Sequence, residues 1–207
     1  MEDDDLIIRT HGGAKRKNPE LLEVKPLRYK SEIGTSNKDR VARYAASFIG
    51  NNQMIFIDSG SSTLALGKYI RNKDIYVVTL NVELALELGN AGIKTYVLPG
   101  FLNIDAGSVY SEQAVDFISE MHFDMCIVSI TAVDAQEGIG CTGEVASRAK
   151  RTAILHSDKA FVLADSSKYR KKLPYKVADF SEVILITDKL EDYLPKTKTI
   201  IEVDEIY

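Results

Sequence analysis

Cysteine is scarce in this 207-residue chain, with two residues in all. Cys126 lies inside an apolar run and Cys141 in a Gly-rich turn, and neither has a partner at metal-binding or redox spacing. A reducing cytoplasm fits that usage. The three histidines, His11, His122 and His156, are scattered without metal-ligand spacing, and no nucleophile elbow is present. Neither a metal site nor a hydrolase is expected. No apolar run is long enough to span a bilayer, and the start, Met1-Glu-Asp-Asp-Asp, is acidic where a secretory signal is basic and then apolar. The expectation is a cytoplasmic protein that stays off the membrane. Positive charge is not in excess, at 26 Lys+Arg against 30 Asp+Glu, so any contact with nucleic acid has to be local. A Walker loop, a spaced-glycine dinucleotide fingerprint and internal repeats are also missing, and no cofactor is implied.

What is present suits one domain of ordinary size with a real core, at 45% hydrophobic residues. From Lys38 onward, short β-branched runs alternate with helical patterns, the mark of βα units stacked into a mostly parallel sheet with helices on both faces. The pattern predicts helices at 37–49, 62–70, 82–90, 112–120 and 144–155, with Asn37 as the first N-cap. It predicts strands at 54–57, 75–79, 94–98, 125–130, 160–164, 182–187 and 199–203, and an irregular stretch from 99 to 109. The almost wholly apolar run Met125 to Ile130 suits a central strand buried on both sides. Residues 1–35 stand outside this rhythm. Leu6 to Thr10 reads as one strand, followed by the turn His11-Gly12-Gly13-Ala14, the basic run Lys15-Arg16-Lys17 and an extended linker in which Pro19 and Pro26 discourage helix.

Three polar clusters can carry chemistry. The sharpest is Asp58-Ser59-Gly60-Ser61-Ser62-Thr63, at the carboxyl end of a buried strand and the start of a helix. Gly60 lets the backbone turn, and the free N–H groups, the helix dipole and the hydroxyls of Ser61, Ser62 and Thr63 converge where a phosphate can sit without a metal. Alternatively, Ser61 or Ser62 is only an N-cap on an ordinary turn. The second cluster, Asp165-Ser166-Ser167-Lys168, shares that sheet edge, where Lys168 can meet the same anion as a point charge or simply face solvent. The third runs from Thr131 to Glu144, with Asp134, Glu137 and Glu144 among glycines; a carboxylate there is either a general base or merely solvated. Lys150 and Arg148 follow on the next helix.

Taken in order, Arg9 to Ala14, Arg40 to Ala46, Asp58 to Thr63, Tyr76 to Thr79, Lys150-Arg151 and Ala164 to Lys168 resemble the sensor domain of DeoR-type bacterial transcription regulators over nearly the whole chain. The resemblance implies that residues 1–35 are a remnant of wing and linker, with most of a winged helix-turn-helix outside this chain. Residues 36–207 become the effector-sensing α/β domain. It implies a fold like that of ribose-5-phosphate isomerase, glucosamine-6-phosphate deaminase and the CoA transferases, and an effector drawn from phosphorylated sugars and their catabolites. Carried over by position, Asp58, Gly60, Ser61, Ser62 and Thr63 form the phosphate loop and Lys168 adds an anion contact. Asp165 positions Lys168 or bonds a hydroxyl, Lys150 lies near the pocket, and Thr79 and Thr131 join at neighbouring strand ends. Leu80, Pro99, Asn103, Ala132 and Ala146 depart from the family pattern, which implies an unusual effector or weak binding. The implied protein is a repressor of sugar metabolism that binds DNA and self-associates, and is not an enzyme. The competing readings are a sugar-phosphate isomerase or deaminase using Asp134, Glu144 or Asp165 as base, and an interaction module with a vestigial pocket.

Overall fold

The structure, a computed structural model, describes residues 7–10, 13–16, 27, 34–70, 74–171 and 174–203, the backbone alone at 7–10 and 13–16. Its frame is a seven-stranded sheet, parallel throughout. The strands are β3 (Gln53–Ile57), β4 (Ile75–Thr79), β5 (Lys94–Val97), β8 (Met125–Ser129), β11 (Ala160–Ala164), β13 (Ile184–Thr187) and β14 (Ile200–Glu202). Their order is β14-β13-β11-β8-β3-β4-β5. The chain builds outward from β3 to β5, then returns to lay β8 on the other side of β3. Strand order therefore reverses between β3 and β8, and at such a switch point the loops after the two strands diverge and leave a crevice.

Alternation along the strands divides the core. Phe56 of β3 joins Val78, Cys126, Val128 and Val162 on one face, while Ile55 and Ile57 join Val77, Ile127 and Leu163 on the other. The first face is covered by α4 (Glu112–Ser119), through Ala114, Val115 and Ile118, and by α5 (Glu144–Leu155), through Ala149 and Ala153. The second is covered by α1 (Thr35–Ala46), through Val41, Ala42 and Ala45, by α2 (Ser61–Leu66) and by α3 (Val82–Asn90). The expected layering is what the structure has.

Several local expectations are corrected. Helix α1 begins at Thr35 behind a left-handed Gly34, and Asn37 is not its cap; the Asn37 amide instead donates to Asp188 Oδ2 at 2.5 Å. Helix α2 starts one residue early and passes at Gly67–Tyr69 into a 3-10 turn. The stretch expected to be irregular forms an antiparallel hairpin, β6 (Phe101–Asn103) with β7 (Ser108–Tyr110). A second antiparallel sheet joins β9 (Ala132–Asp134), β10 (Gly138–Cys141) and β12 (Tyr175–Ala178). These strands are three or four residues long, and β10 carries two glycines, so hydrophobic period says little about them; their pairing is set by partners far off, such as Ile139 opposite Ala178. The strand expected at Leu6 to Thr10 has a mate: β1 (Ile7–Thr10) pairs with β2 (Gly13–Arg16), within the residues read as turn and basic run. Apart from Leu27, Gly34 and Thr35, the expected linker lies outside the described residues, as do His11 and Gly12.

Candidate functional site

The chain leaves β3 at Ile57, and the next residue, Asp58, is fully buried. Its carboxylate collects partners from across the switch point. Lys150 Nζ on α5 donates to Oδ2 at 2.5 Å, Ser129 at the end of β8 donates its N–H and its hydroxyl to the same oxygen at 3.2 and 3.0 Å, and Tyr110 Oη donates to Oδ1 at 3.3 Å. Ser129 Oγ also bonds Ser59 O at 2.8 Å, while Ser59 Oγ meets Tyr110 Oη at 2.5 Å. The loop after β3 is thus pinned to β8, β7 and α5 at once. Gly60 is needed for closeness: a Cβ there would stand 2.1 Å from Ser129 Oγ.

The pinned loop feeds α2. Gly60 occupies the cap position without any side-chain cap, so Ser61 and Ser62 are not acting as N-caps. Leu64 N–H already reaches Gly60 O at 2.9 Å, but among the described residues no acceptor meets the N–H groups of Ser61, Ser62 or Thr63. Thr63 Oγ1 turns back on Gly60 O at 3.1 Å. Ser61 and Ser62 face a cleft of about 260 Å³ at the sheet's carboxyl end, small for a metabolite pocket, where roughly 300–1,000 Å³ is usual.

Six of the expected residues line that cleft: Gly60, Ser61, Ser62, Thr131, Lys150 and Lys168. Asp58, Thr63, Thr79 and Asp165 do not. Asp58 is committed to Lys150, and Thr79 is buried with its hydroxyl accepting Asn81 N–H at 3.0 Å. Asp165 caps the 3-10 turn Ser166–Lys168, accepting from Ser167 N–H at 3.0 Å and from the Ser167 hydroxyl; it sets the backbone that presents Lys168 and makes no side-chain bond to it. The proposed bases are elsewhere too. Asp134 accepts from the N–H groups of Gln136 and Glu137, and Glu144 does not line the cleft. Arg148 pairs with Glu112 at the surface. Of the departures from the family pattern, Asn103 and Ala146 lie on the cleft and Leu80 lies in the core.

Thr142 falls inside the third cluster, while the pattern of residues gave no sign of Tyr110, Leu27 or Lys38. Ser129 had one: a polar residue near the carboxyl end of an apolar central strand. Lys38 on α1 is buried, facing Asp165 and Lys168, and lines a neighbouring groove of about 390 Å³ that also meets Ser61. Burial pushes the Lys38 ammonium down, Asp165 pulls it up, and Lys168 lowers it further.

Burial alone would depress Lys150, yet the charge of Asp58, with Tyr110, Cys141 and the hydrogen bond to Asp58, holds its ammonium above the ordinary value. Tyr110 is pushed up to about 12, by burial first and then by Asp58. Both groups hold their protons more tightly folded than unfolded. Their contribution to stability is therefore complete below the unfolded values of 10.0 and 10.5 and is lost as pH rises through the folded ones. Urea midpoints should fall along an alkaline limb above pH 10, and Tyr110→Phe should make that limb shallower. An unchanged limb would mean that the tyrosine proton is not coupled to folding.

The family model for the DeoR C terminal sensor domain matches residues 34–189. The chain belongs to that family. Among curated relatives of this DeoR-type chain is the HTH-type transcriptional repressor GlcR of Bacillus subtilis, 28% identical over 194 residues, 92% of this chain and 74% of the relative. Another is the glycerol-3-phosphate regulon repressor of Escherichia coli K12, 27% identical over 185 residues, 88% of this chain and 73% of the relative. This makes the DeoR-type chain a regulator's sensor and not an enzyme. Among solved structures, eIF2B delta from Chaetomium thermophilum matches with TM-score 0.54 at 17% identity, over 74% of this chain and 56% of that one, which shows the fold alone. Ribose 5-phosphate isomerase A from Neisseria gonorrhoeae matches with TM-score 0.48 at 20% identity, over 70% and 56%.

Proposed function

We propose that this chain is the effector-sensing part of a DeoR-type DNA-binding repressor and that its cleft holds a phosphorylated sugar or a related catabolite. One observation carries the reading: among the described residues the cleft presents unbonded N–H groups, hydroxyls and Lys168, and no carboxylate lines it. A phosphate gains from each of these, since charge-assisted hydrogen bonds are worth about twice neutral ones. An isomerase or deaminase would need a base at the reacting carbon. Asp134, Glu144 and Asp165 are all off the cleft, and Asp58 is locked to Lys150.

The name of the glycerol-3-phosphate regulon repressor supports control by a phosphorylated polyol or a related compound. The β1–β2 hairpin, with Arg9, Lys15 and Arg16 in its sequence, fits the wing of a winged helix-turn-helix, through which DNA would be met. Residues 1–35 would then be wing and linker and 36–207 the sensor. Self-association fits the exposed Tyr96 on the edge strand β5 and the exposed Phe101 and Ile104 of the hairpin that follows it. A cytoplasmic location fits a repressor, and among the described residues no helix is long and apolar enough to cross a membrane.

Calorimetric titration against inorganic phosphate, glycerol 3-phosphate and glucosamine 6-phosphate tests the reading. At least one sugar or polyol phosphate should bind, and Lys168→Ala should weaken it by about tenfold or more, the worth of one charge-assisted bond. Equal affinity in the variant would remove Lys168 from the site. Turnover of a sugar phosphate would favour the enzyme.

A further inference from the structure

One wall of the cleft comes from outside the family domain. Leu27 precedes Gly34, where the family match begins, yet its side chain is only 4% exposed and lines the same cleft as Ser61 and Ser62. Two contacts seat it. Leu27 N–H donates to Asp105 O at 2.6 Å, in the turn of the β6–β7 hairpin, and its side chain fits the space left at Gly107. That glycine has φ +58, and a Cβ on it would stand 2.4 Å from Leu27 Cδ2. Asn103 and Ala106, from the same turn, line the cleft beside Leu27.

We propose that Leu27, which precedes the residues of the family match, is a binding residue of the effector cleft, so that effector and Leu27 side chain hold one another in place. The inference rests on the reading of the cleft as an effector site. The sign of the coupling follows from space. With Leu27 seated, about 260 Å³ stays open, so the side chain is a wall and not a plug. A ligand whose phosphate sits at Ser61 and Ser62 can lay its carbon atoms against that wall and bury apolar surface. Unseating Leu27 removes the wall, so the ligand binds the seated state more tightly, and by linkage the ligand slows unseating. Occupancy of the cleft then reaches the residue next in line toward the DNA-binding unit without any step routed through the sheet.

The test uses the 207-residue chain, with glycerol 3-phosphate and glucosamine 6-phosphate as probes. Hydrogen exchange at the Leu27 amide should slow about fivefold or more when a probe saturates the cleft, the low end of ordinary coupling. Leu27→Ala and Gly107→Asn should each weaken that probe severalfold. Asn tolerates a left-handed backbone, so the second variant crowds Leu27 with little backbone strain of its own. Lys168→Ala reports the anion seat separately. If Lys168→Ala abolishes binding while both other variants bind as wild type and Leu27 exchange is unmoved by ligand, the inference is wrong and the effector site stands. If neither probe binds the wild-type chain, both fall together.

Discussion

Lys150→Met should cost the protein about 3–5 kcal/mol of stability, read as a lower urea midpoint at constant slope, because it strands the Asp58 carboxylate in the core. The ammonium is 2.5 Å from Asp58 Oδ2, and the two side chains are 5% and 0% exposed. The remaining donors, Ser129 and Tyr110, are neutral and cannot replace a charge. Against a typical total of about 5–15 kcal/mol, such a loss leaves a barely folded chain. Pairing the change with Asp58→Asn removes the stranded charge, and the double variant should recover much of the loss. A single variant within about 1 kcal/mol of wild type would mean that the pair is not buried as described.

Gly60→Ala should be nearly as damaging and should remove effector binding outright. The new Cβ would meet Ser129 Oγ at 2.1 Å and Ser129 Cβ at 2.8 Å, and Ser129 cannot step aside because Asp58 and Ser59 O hold it. The backbone at φ 158, ψ 166 lies in a region that only glycine visits readily. Strain and overpacking together come to roughly 2–5 kcal/mol. Ser129→Gly in the same chain clears the obstruction, so the double variant should regain stability relative to Gly60→Ala. If it does not, contact with β8 is not the reason for the glycine.

Both effects arise at a place the sequence half discloses. Apolar runs such as the fully buried Ala160–Ala164 can be read as parallel strands because burial on both faces leaves them no polar residues. The bend at Gly60 is legible too, since glycine between a strand and a hydroxyl-rich helix start has few other uses. The ion pair beneath it is not. Asp58 and Lys150 lie 92 positions apart, and only the return of the chain past β3 brings α5 over the loop. Asp58 consequently looks like a ligand contact on paper, while in the fold it is buried and anchors the loop after β3. Tyr110 is hidden for the same reason: its strand, β7, is three residues long and exists through pairing with Phe101–Asn103. Leu27 is an ordinary residue in a proline-bearing stretch until Gly107 is set beside it.

The account stands on the N–H groups of Ser61, Ser62 and Thr63 being the seat of a phosphate. Amide chemical shifts of the chain, followed while inorganic phosphate and then glycerol 3-phosphate are added, test this most directly. Saturable movement of those three resonances, with smaller shifts near Lys168 and Thr131 and none at the far edge strand β14, is the predicted result. Saturable binding that leaves residues 61–63 unmoved would contradict it.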